Sequence, residues 1–422
     1  MTSNQTMNDA TLLNRSERTT KQFIGEKGVE GEEEVLDLHV VLLINYVRKH
    51  HVASYQALAK RVRKLTILLS VPMEPDRDWN PEWSDLDVRV QKNWMFTGRW
   101  RHSTGFKEDN FIHVPIDTVS QLKKLNPDIV FSYEMGMRTL LSGWFRFFRR
   151  NIPLVMVGNM SEHIEKERGM MRRMMRGIVR RMADFFTYNG PSCKRYLKSI
   201  GIAEDKLFHV PYCIDDDVVF QGTRASIDPD RPRRLLYCGS ISERKGLLPF
   251  TQALQRWLSE QPDCRVEFQV AGSGPLKEQL AQFGSDQLAI NFLGNLDPSG
   301  LREAHANADI AVTPTFADEW GLTPIESLAS GIPVLGSFYA QSVESVVRDD
   351  INGWVFRPDD PASLDLAIER ALQMSPADLQ RMAKTCRDSV KHISDVATAE
   401  CFCQVIHSVL PDVKTTSSQI ED

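Results

Sequence analysis

The chain has 422 residues, 42% hydrophobic and 25% charged, with 51 Lys plus Arg against 56 Asp plus Glu. That length favours two domains over one, and the near balance of charge leaves no global field to attract nucleic acid, which is excluded as a partner. Seven cysteines, an odd number with no C-x-x-C pair, read as reduced, mostly buried thiols rather than a disulfide framework. The first residues lack the apolar core of a secretory signal, and no run of about 18 apolar residues occurs anywhere. The expected location is cytoplasmic, with at most a peripheral seat on the inner face of the cell membrane.

Residues 1–36 are polar, lack periodicity and end in Glu32, Glu33 and Glu34, which reads as a disordered leader. Residues 38–44 form a continuous apolar run of the doubly buried strand type. After Asn45 to His51 the pattern predicts a helix over 52–61 and a strand over 65–69. Helices then follow at 118–125, 138–148 and 168–181, with strands at 129–133, 153–157 and 185–188. Alternation of this kind makes a doubly wound parallel sheet, so 37–214 is expected to be one Rossmann-like domain.

Residues 215–232 are polar, Asp-rich and broken by Pro229 and Pro232, which marks a boundary. The alternation restarts with strands at 234–239, 265–271, 290–293, 309–313 and 332–335, giving a second Rossmann-like domain over 215–397. A long helix is expected around 398–413, and a polar, flexible tail over 414–422.

The most informative stretch is 315–337, TFADEWGLTPIESLASGIPVLGS. A strand, a loop, a helix closed by Gly331 and another strand follow one another, so the loop lies at the carboxyl edge of the sheet, where ligands bind in open α/β folds. Backbone N–H groups around Leu322 and Thr323, after Gly321, are available to an anion. Asp318 in the loop and Glu326 in the helix add acceptors suited to sugar hydroxyls. The competing reading is that Asp318 and Glu319 complement the helix dipole while Glu326 is solvated. At the start of the second domain, Gly239 allows a tight turn off the strand, and Arg244 and Lys245 follow where cations reach phosphate at the same sheet edge.

This run resembles the E-x7-E signature of glycosyltransferase family 4, the retaining GT-B enzymes that use nucleotide sugars, with Asp318 in place of the first Glu and Glu326 as the second. The stretch Gly239-Ser240 through Arg244, Lys245 and Gly246 resembles the family's G-R-x-x-x-R/E-K-G pattern, with Ser240 where the family has Arg. The turn with Gly272, and the loop with Gly294, Asn295 and Leu296 that reads the nucleotide base, are also similar to family 4 motifs. The resemblance implies a GT-B fold of two Rossmann-like domains facing across a cleft, with the helix near 398–413 crossing back to the first domain. It also implies a nucleoside diphosphate sugar as donor substrate, with no other cofactor. In that assignment Lys245 and the Leu322 and Thr323 amides hold the diphosphate, Glu326 the ribose and Asp318 the donor sugar.

The first domain resembles its counterpart less. Glu134, Glu162 and His163 lie just past strand ends, and His163 is the nearest match to a family histidine close to the donor sugar. Asp318, Lys245, His163 and Glu162 are therefore the expected catalytic residues. No metal is expected: the Asp-x-Asp strings at Asp76, Asp85 and Asp228 fall in polar connectors. Arg168, Arg172, Arg173, Arg176, Arg180 and Arg181 alternate with methionines, so this helix either faces anionic lipid or packs its apolar stripe on the sheet with its arginines in water. The expected function is transfer of a hexose, with retention, to a saccharide or lipid-linked acceptor in surface polysaccharide synthesis. The alternatives are a GT-B epimerase or a silent nucleotide-sugar binder.

Overall fold

The computed structural model describes residues 34–75, 82–83, 85–102, 105–166, 169–213 and 226–417. The first lobe is built on β1 (Glu34–Ile44), β2 (Val62–Leu69), β3 (Asp87–Val90), β6 (Ile129–Tyr133), β7 (Leu154–Gly158), β8 (Phe185–Tyr188) and β9 (Leu207–His209), with the antiparallel ribbon of β4 (Asn93–Arg101) and β5 (Lys107–Pro115) set beside it. The sheet order is β3-β2-β1-β6-β7-β8-β9, all parallel, so the strand order reverses between β1 and β6.

The apolar run of β1 is continuous because both faces of the sheet are covered. Val40 and Leu42 enter a core with Tyr55, Leu58 and Phe402, whereas Val41 and Leu43 enter a second core with Phe145, Val179 and Leu197. The alternation follows from the two-residue period of a strand.

The second lobe holds β10 (Arg233–Cys238), β11 (Val266–Ala271), β12 (Leu288–Gly294), β13 (Ile310–Thr313), β14 (Val334–Ser337) and β15 (Gly353–Phe356), in the order β12-β11-β10-β13-β14-β15 and all parallel. Its order reverses between β10 and β13. A single core with Phe250, Phe268, Trp354 and Phe356 at its centre joins the helices to the sheet.

Helix Pro376–Val390 packs on the second lobe, and the chain then turns back. Helix Asp395–Val409 belongs to the first lobe: Phe402 meets Phe131 edge-on at 5.2 Å, Ala399 and Ile406 join the same core, and Glu400 pairs with Arg61. Past it, β16 (Thr415–Ser417) runs antiparallel to the start of β1.

Several expectations need correction. Residues 34–36 are strand rather than leader, and 415–417 are strand rather than flexible tail. Glu34 pairs with Ser417 and Leu36 with Thr415, and because such pairing is made by backbone groups it leaves little trace in side-chain pattern. Lys414 is also described, its carbonyl accepting from Asp37 N–H at 2.9 Å; the rest of both terminal segments, together with 214–225 at the lobe boundary, lies outside the described residues. The helix after β1 is Lys49–Lys60, so His50 and His51 are helical. The β4–β5 ribbon and β15 escaped the sequence reading. Both faces of β4 carry exposed side chains, which removes the in–out alternation that marks a half-buried strand.

Truncating Phe402 to Ala is expected to cost about 3–5 kcal/mol, because a buried aromatic is removed from the first lobe's core. Chemical denaturation should show the loss in the first lobe, with the second lobe's transition unmoved.

Candidate active site at the seam of the two lobes

Four loops at the carboxyl edge of the second sheet are stitched together by backbone hydrogen bonds. Gly272 N–H donates to the Gly294 carbonyl at 2.7 Å, Gly239 N–H to Ala271 at 2.9 Å, Ile241 N–H to Ser273 at 2.8 Å, and Phe316 N–H to Arg244 at 2.8 Å. Such close approach requires glycine. A Cβ on Gly272, which has φ +132°, would lie 1.9 Å from the Gly239 carbonyl oxygen, and one on Gly246 2.0 Å from that of Pro314. The motif glycines therefore weld the loops that follow β10, β11, β12 and β13 into one rim. Ser240 is exposed on that rim, where its carbonyl accepts from the Tyr237 hydroxyl at 2.7 Å; Asn295 is also exposed, and Leu296 anchors the loop to the core.

On the rim, Lys245 Nζ forms an ion pair with Asp318 Oδ2. Arg244 Nη1 lies 3.8 Å from the same oxygen and donates to the Ala317 carbonyl at 3.0 Å. Burial alone would raise the Asp318 pKa, but the charges of Lys245 and Arg244 outweigh it and hold the carboxyl below its usual range. Both cations are four-fifths covered, so Arg244 is a fixed part of the site.

Glu326 is the opposite case. It lies in helix Thr323–Ala329, against the end of β10, where Thr323 Oγ1 donates to the Cys238 carbonyl at 3.1 Å. Its carboxylate has no partner among the described residues, and burial pushes its pKa up to about 7. Beside it the N–H groups of Leu322 and Thr323 are likewise unused among the described residues. An acceptor without a donor and two donors without an acceptor now lie a turn apart. Gly321, at φ +85°, turns the chain between them and Asp318.

The neighbouring carboxylate, Glu319, reads from the sequence only as a complement to the helix dipole. It faces the first lobe, where burial, then Glu134, raise its pKa to about 7 against the pull of Arg48. Glu134 follows β6 at φ +64°, a left-handed conformation rarely taken by such a residue; its N–H donates to the Val157 carbonyl at 2.9 Å and its carbonyl accepts from Thr139. Arg48, Glu134 and Glu319 thus form a polar wall across the cleft.

The lobes meet in a polar clasp at the same loop. Gln341, 1% exposed, begins the helix after β14. Its Nε2 donates to the Glu319 carbonyl at 2.6 Å and to Asn189 Oδ1 at 3.0 Å, and its Oε1 accepts from the Cys193 N–H at 2.6 Å. Asn189 Nδ2 also donates to the Glu319 carbonyl, at 3.0 Å. Glu162 and His163 belong to this seam. Arg195 bridges Glu162 of its own lobe, at 2.8 Å, and Glu344 of the other. His163 stacks on Tyr339 at 3.9 Å, burial pushes its pKa down to about 4, and the Tyr339 carbonyl accepts from Asp318 N–H at 3.0 Å. Neither Glu162 nor His163 hydrogen-bonds to the Lys245–Asp318 pair. The clasp could not be read from sequence, since Asn189 and Gln341 carry no motif and are 152 positions apart.

Residues 232–374 match the family model of glycosyl transferases group 1. That segment contains the whole rim. Among similar curated proteins, an uncharacterized glycosyltransferase of Methanocaldococcus jannaschii is 26% identical over 148 residues, 34% of this chain and 36% of that protein. A glycogen synthase of Mycobacterium tuberculosis is 30% identical over 174 residues, 40% and 41% of the two chains. A phosphatidyl-myo-inositol mannosyltransferase of the same species is 28% identical over 160 residues, 37% and 41%. The chain therefore matches well under half the length of these relatives.

The fold is GT-B. The apo lipopolysaccharide outer core galactosyltransferase WaaB aligns with a TM-score of 0.63 at 13% identity, over 88% of this chain and all of that one (100%). Anabaena Alr3699/HepE in complex with UDP-glucose aligns with a TM-score of 0.64 at 13% identity, over 88% and 100%.

Two outcomes test this geometry. A carboxyl whose folded pKa is raised from 4.5 to about 7 binds more protons folded than unfolded, so its cost to stability is absent below the lower value and complete above the higher. Glu326→Gln should therefore stabilise the unliganded protein by on the order of 2–3 kcal/mol at about pH 8, with the gain vanishing towards pH 4–5. Gln341→Ala leaves buried groups on both lobes unpaired and should cost about 1–3 kcal/mol. It should also increase the radius of gyration in X-ray scattering as the lobes part.

Proposed function

We propose that the chain is a retaining, metal-independent glycosyltransferase of family 4, moving a hexose from a nucleoside diphosphate sugar to a saccharide or lipid-linked acceptor in surface polysaccharide synthesis. The observation that carries this reading is the juxtaposition on one rim of two covered cations, Lys245 and Arg244, with an unpartnered half-buried carboxylate, Glu326, and the Leu322 and Thr323 amides, unused among the described residues. Cations and amides suit a diphosphate, and an acceptor-only carboxylate suits ribose hydroxyls. The group 1 match over the rim supports the reading, and HepE bound to UDP-glucose makes UDP-sugars the first donors to try.

In this mechanism the Lys245–Asp318 pair is a placeholder. An arriving diphosphate takes over the ammonium and the neighbouring guanidinium, which frees Asp318 to accept from a donor-sugar hydroxyl. Charge that develops on the departing diphosphate is met by groups already fixed in place, without reorganisation. Arg244 supplies the second cation that Ser240 does not. The acceptor enters from the first lobe, across the wall of Arg48, Glu134 and Glu319, and retention follows from attack on the face from which the diphosphate leaves. The protein works in the cytoplasm, with its acceptor side towards the inner face of the membrane.

A panel of nucleotide sugars provides the test. A transferase slowly releases nucleoside diphosphate, an epimerase also interconverts the sugars, and a silent binder gives only a thermal shift. Lys245→Ala loses a charge-assisted hydrogen bond of roughly 1.5–3 kcal/mol, so donor affinity should fall by about tenfold to a hundredfold. A chelator should leave turnover unchanged, and activity lost to chelator and restored by manganese would count against the metal-free mechanism.

A further inference from the structure

Outside the seam, the outer face of the first lobe is the most unusual feature of the molecule. In helix Met170–Met182 one arginine is inside and three methionines are outside. Arg176 is buried, with Nε 3.0 Å from Glu165 Oε2 and Nη1 3.3 Å from the Met135 carbonyl. Met170, Met171 and Met174 are 85, 78 and 64% exposed, and Ile178 is exposed beside them. Their spacing places them on one stripe.

The elements packed beside this helix carry further exposed apolar side chains. Helix Met137–Phe148 packs so closely on this helix that a Cβ on Gly143 would lie 2.8 Å from Met182 Cβ. It exposes Trp144, Phe147 and Phe148; the Phe148 ring lies 5.6 Å from that of Trp144 and 5.4 Å from that of Phe147. The β4–β5 ribbon packs on that helix in turn, and its register pairs Phe96 with Ile112, so that Trp94, Phe96 and Ile112 share one exposed face. Arg149 and Arg150, just past helix Met137–Phe148, and Arg173 and Arg181, on helix Met170–Met182, are exposed; Arg150 lies 5.6 Å over the Phe147 ring, and none of the four has a carboxylate ion pair among the described residues.

We propose that this face seats the protein on an anionic lipid bilayer. Flexible methionines and amphipathic aromatic rings fit the boundary between headgroups and acyl chains, and the unpaired arginines fit acidic headgroups around them. The pairing of Arg176 with buried Glu165 leaves four apolar side chains on the same helix in water, a cost that a lipid surface removes. A second copy docked through the same face by a two-fold axis would set the four arginines against their own like charges. The seat stands on the surface itself. Its consequence, that the acceptor is drawn from the bilayer, rests on the transferase reading.

Vesicle flotation of the full chain tests the seat, using phosphatidylcholine alone and phosphatidylcholine with phosphatidylglycerol. The protein should float with the anionic vesicles and much less with the neutral ones, and raised salt should weaken the association. Combined Arg149→Glu, Arg150→Glu, Arg173→Glu and Arg181→Glu should lower recovery at least about tenfold. Met170→Ser with Met171→Ser and Met174→Ser should lower it too, although no charge changes, an effect that purely electrostatic adsorption would not show. All seven positions are exposed, so melting temperature and the thermal shift given by UDP should stay as in the wild type, which separates failure of the seat from failure of the donor site. Equal flotation on the two vesicle types, or a methionine variant that floats like wild type, would overturn the proposal. So would a vesicle-free dimer that the methionine variant converts to monomer, which would give the face to a second copy.

Discussion

The molecule depends on one carbonyl oxygen. The backbone oxygen of Glu319 accepts from the side-chain amides of both Asn189 and Gln341, and Gln341 at the same time accepts from the backbone of the first lobe at Cys193. A buried glutamine with every polar atom engaged is worth more than its separate hydrogen bonds, because loosening one strands the others away from water. Since this carbonyl lies one residue from Asp318, the contact that closes the lobes also positions the loop of the candidate site. The same contact therefore sets both how the lobes meet and where the loop of the candidate site lies.

Around that clasp the charges are arranged for function rather than for stability. Asp318 is paired and held below its usual pKa, whereas half-buried Glu319, raised by desolvation and Glu134 more than Arg48 lowers it, and half-buried Glu326, without a partner among the described residues, have pKa values raised to about 7. Carboxylates desolvated in this way burden the unliganded fold, and the strained backbone of Glu134 across the cleft adds to the burden. Such features persist where the binding of a complementary ligand relieves them. The same argument applies to the outer face of the first lobe, where exposed methionines and aromatics are in excess for a surface that meets only water.

The second lobe was largely legible in the sequence. Its strands are short apolar runs, and its glycines mark turns that tolerate no Cβ, as Gly246 and Gly272 show. Lys245, Asp318 and Glu326 could be singled out because strand–loop–helix order puts their loops at a sheet edge and because those loops resemble family 4 motifs. The first lobe was less legible. Glu162 and His163 were correctly placed after a strand, yet their side chains serve the seam with the other lobe, and nothing local records the position of Arg195, Glu344 or Tyr339.

The sequence by itself determined the two parallel sheets, the break between them and the cationic loop facing a carboxylate-bearing helix, because these follow from periodicity, turn chemistry and motif spacing within a few tens of residues. Only the tertiary structure decided which carboxylate is paired and which is left alone, that Gln341 and Asn189 hold the lobes together, and that Arg176 points inward while its methionine neighbours point out. Those outcomes depend on desolvation and on partners far apart in the chain, and a helical pattern of arginine and methionine is equally compatible with either face turning to the sheet.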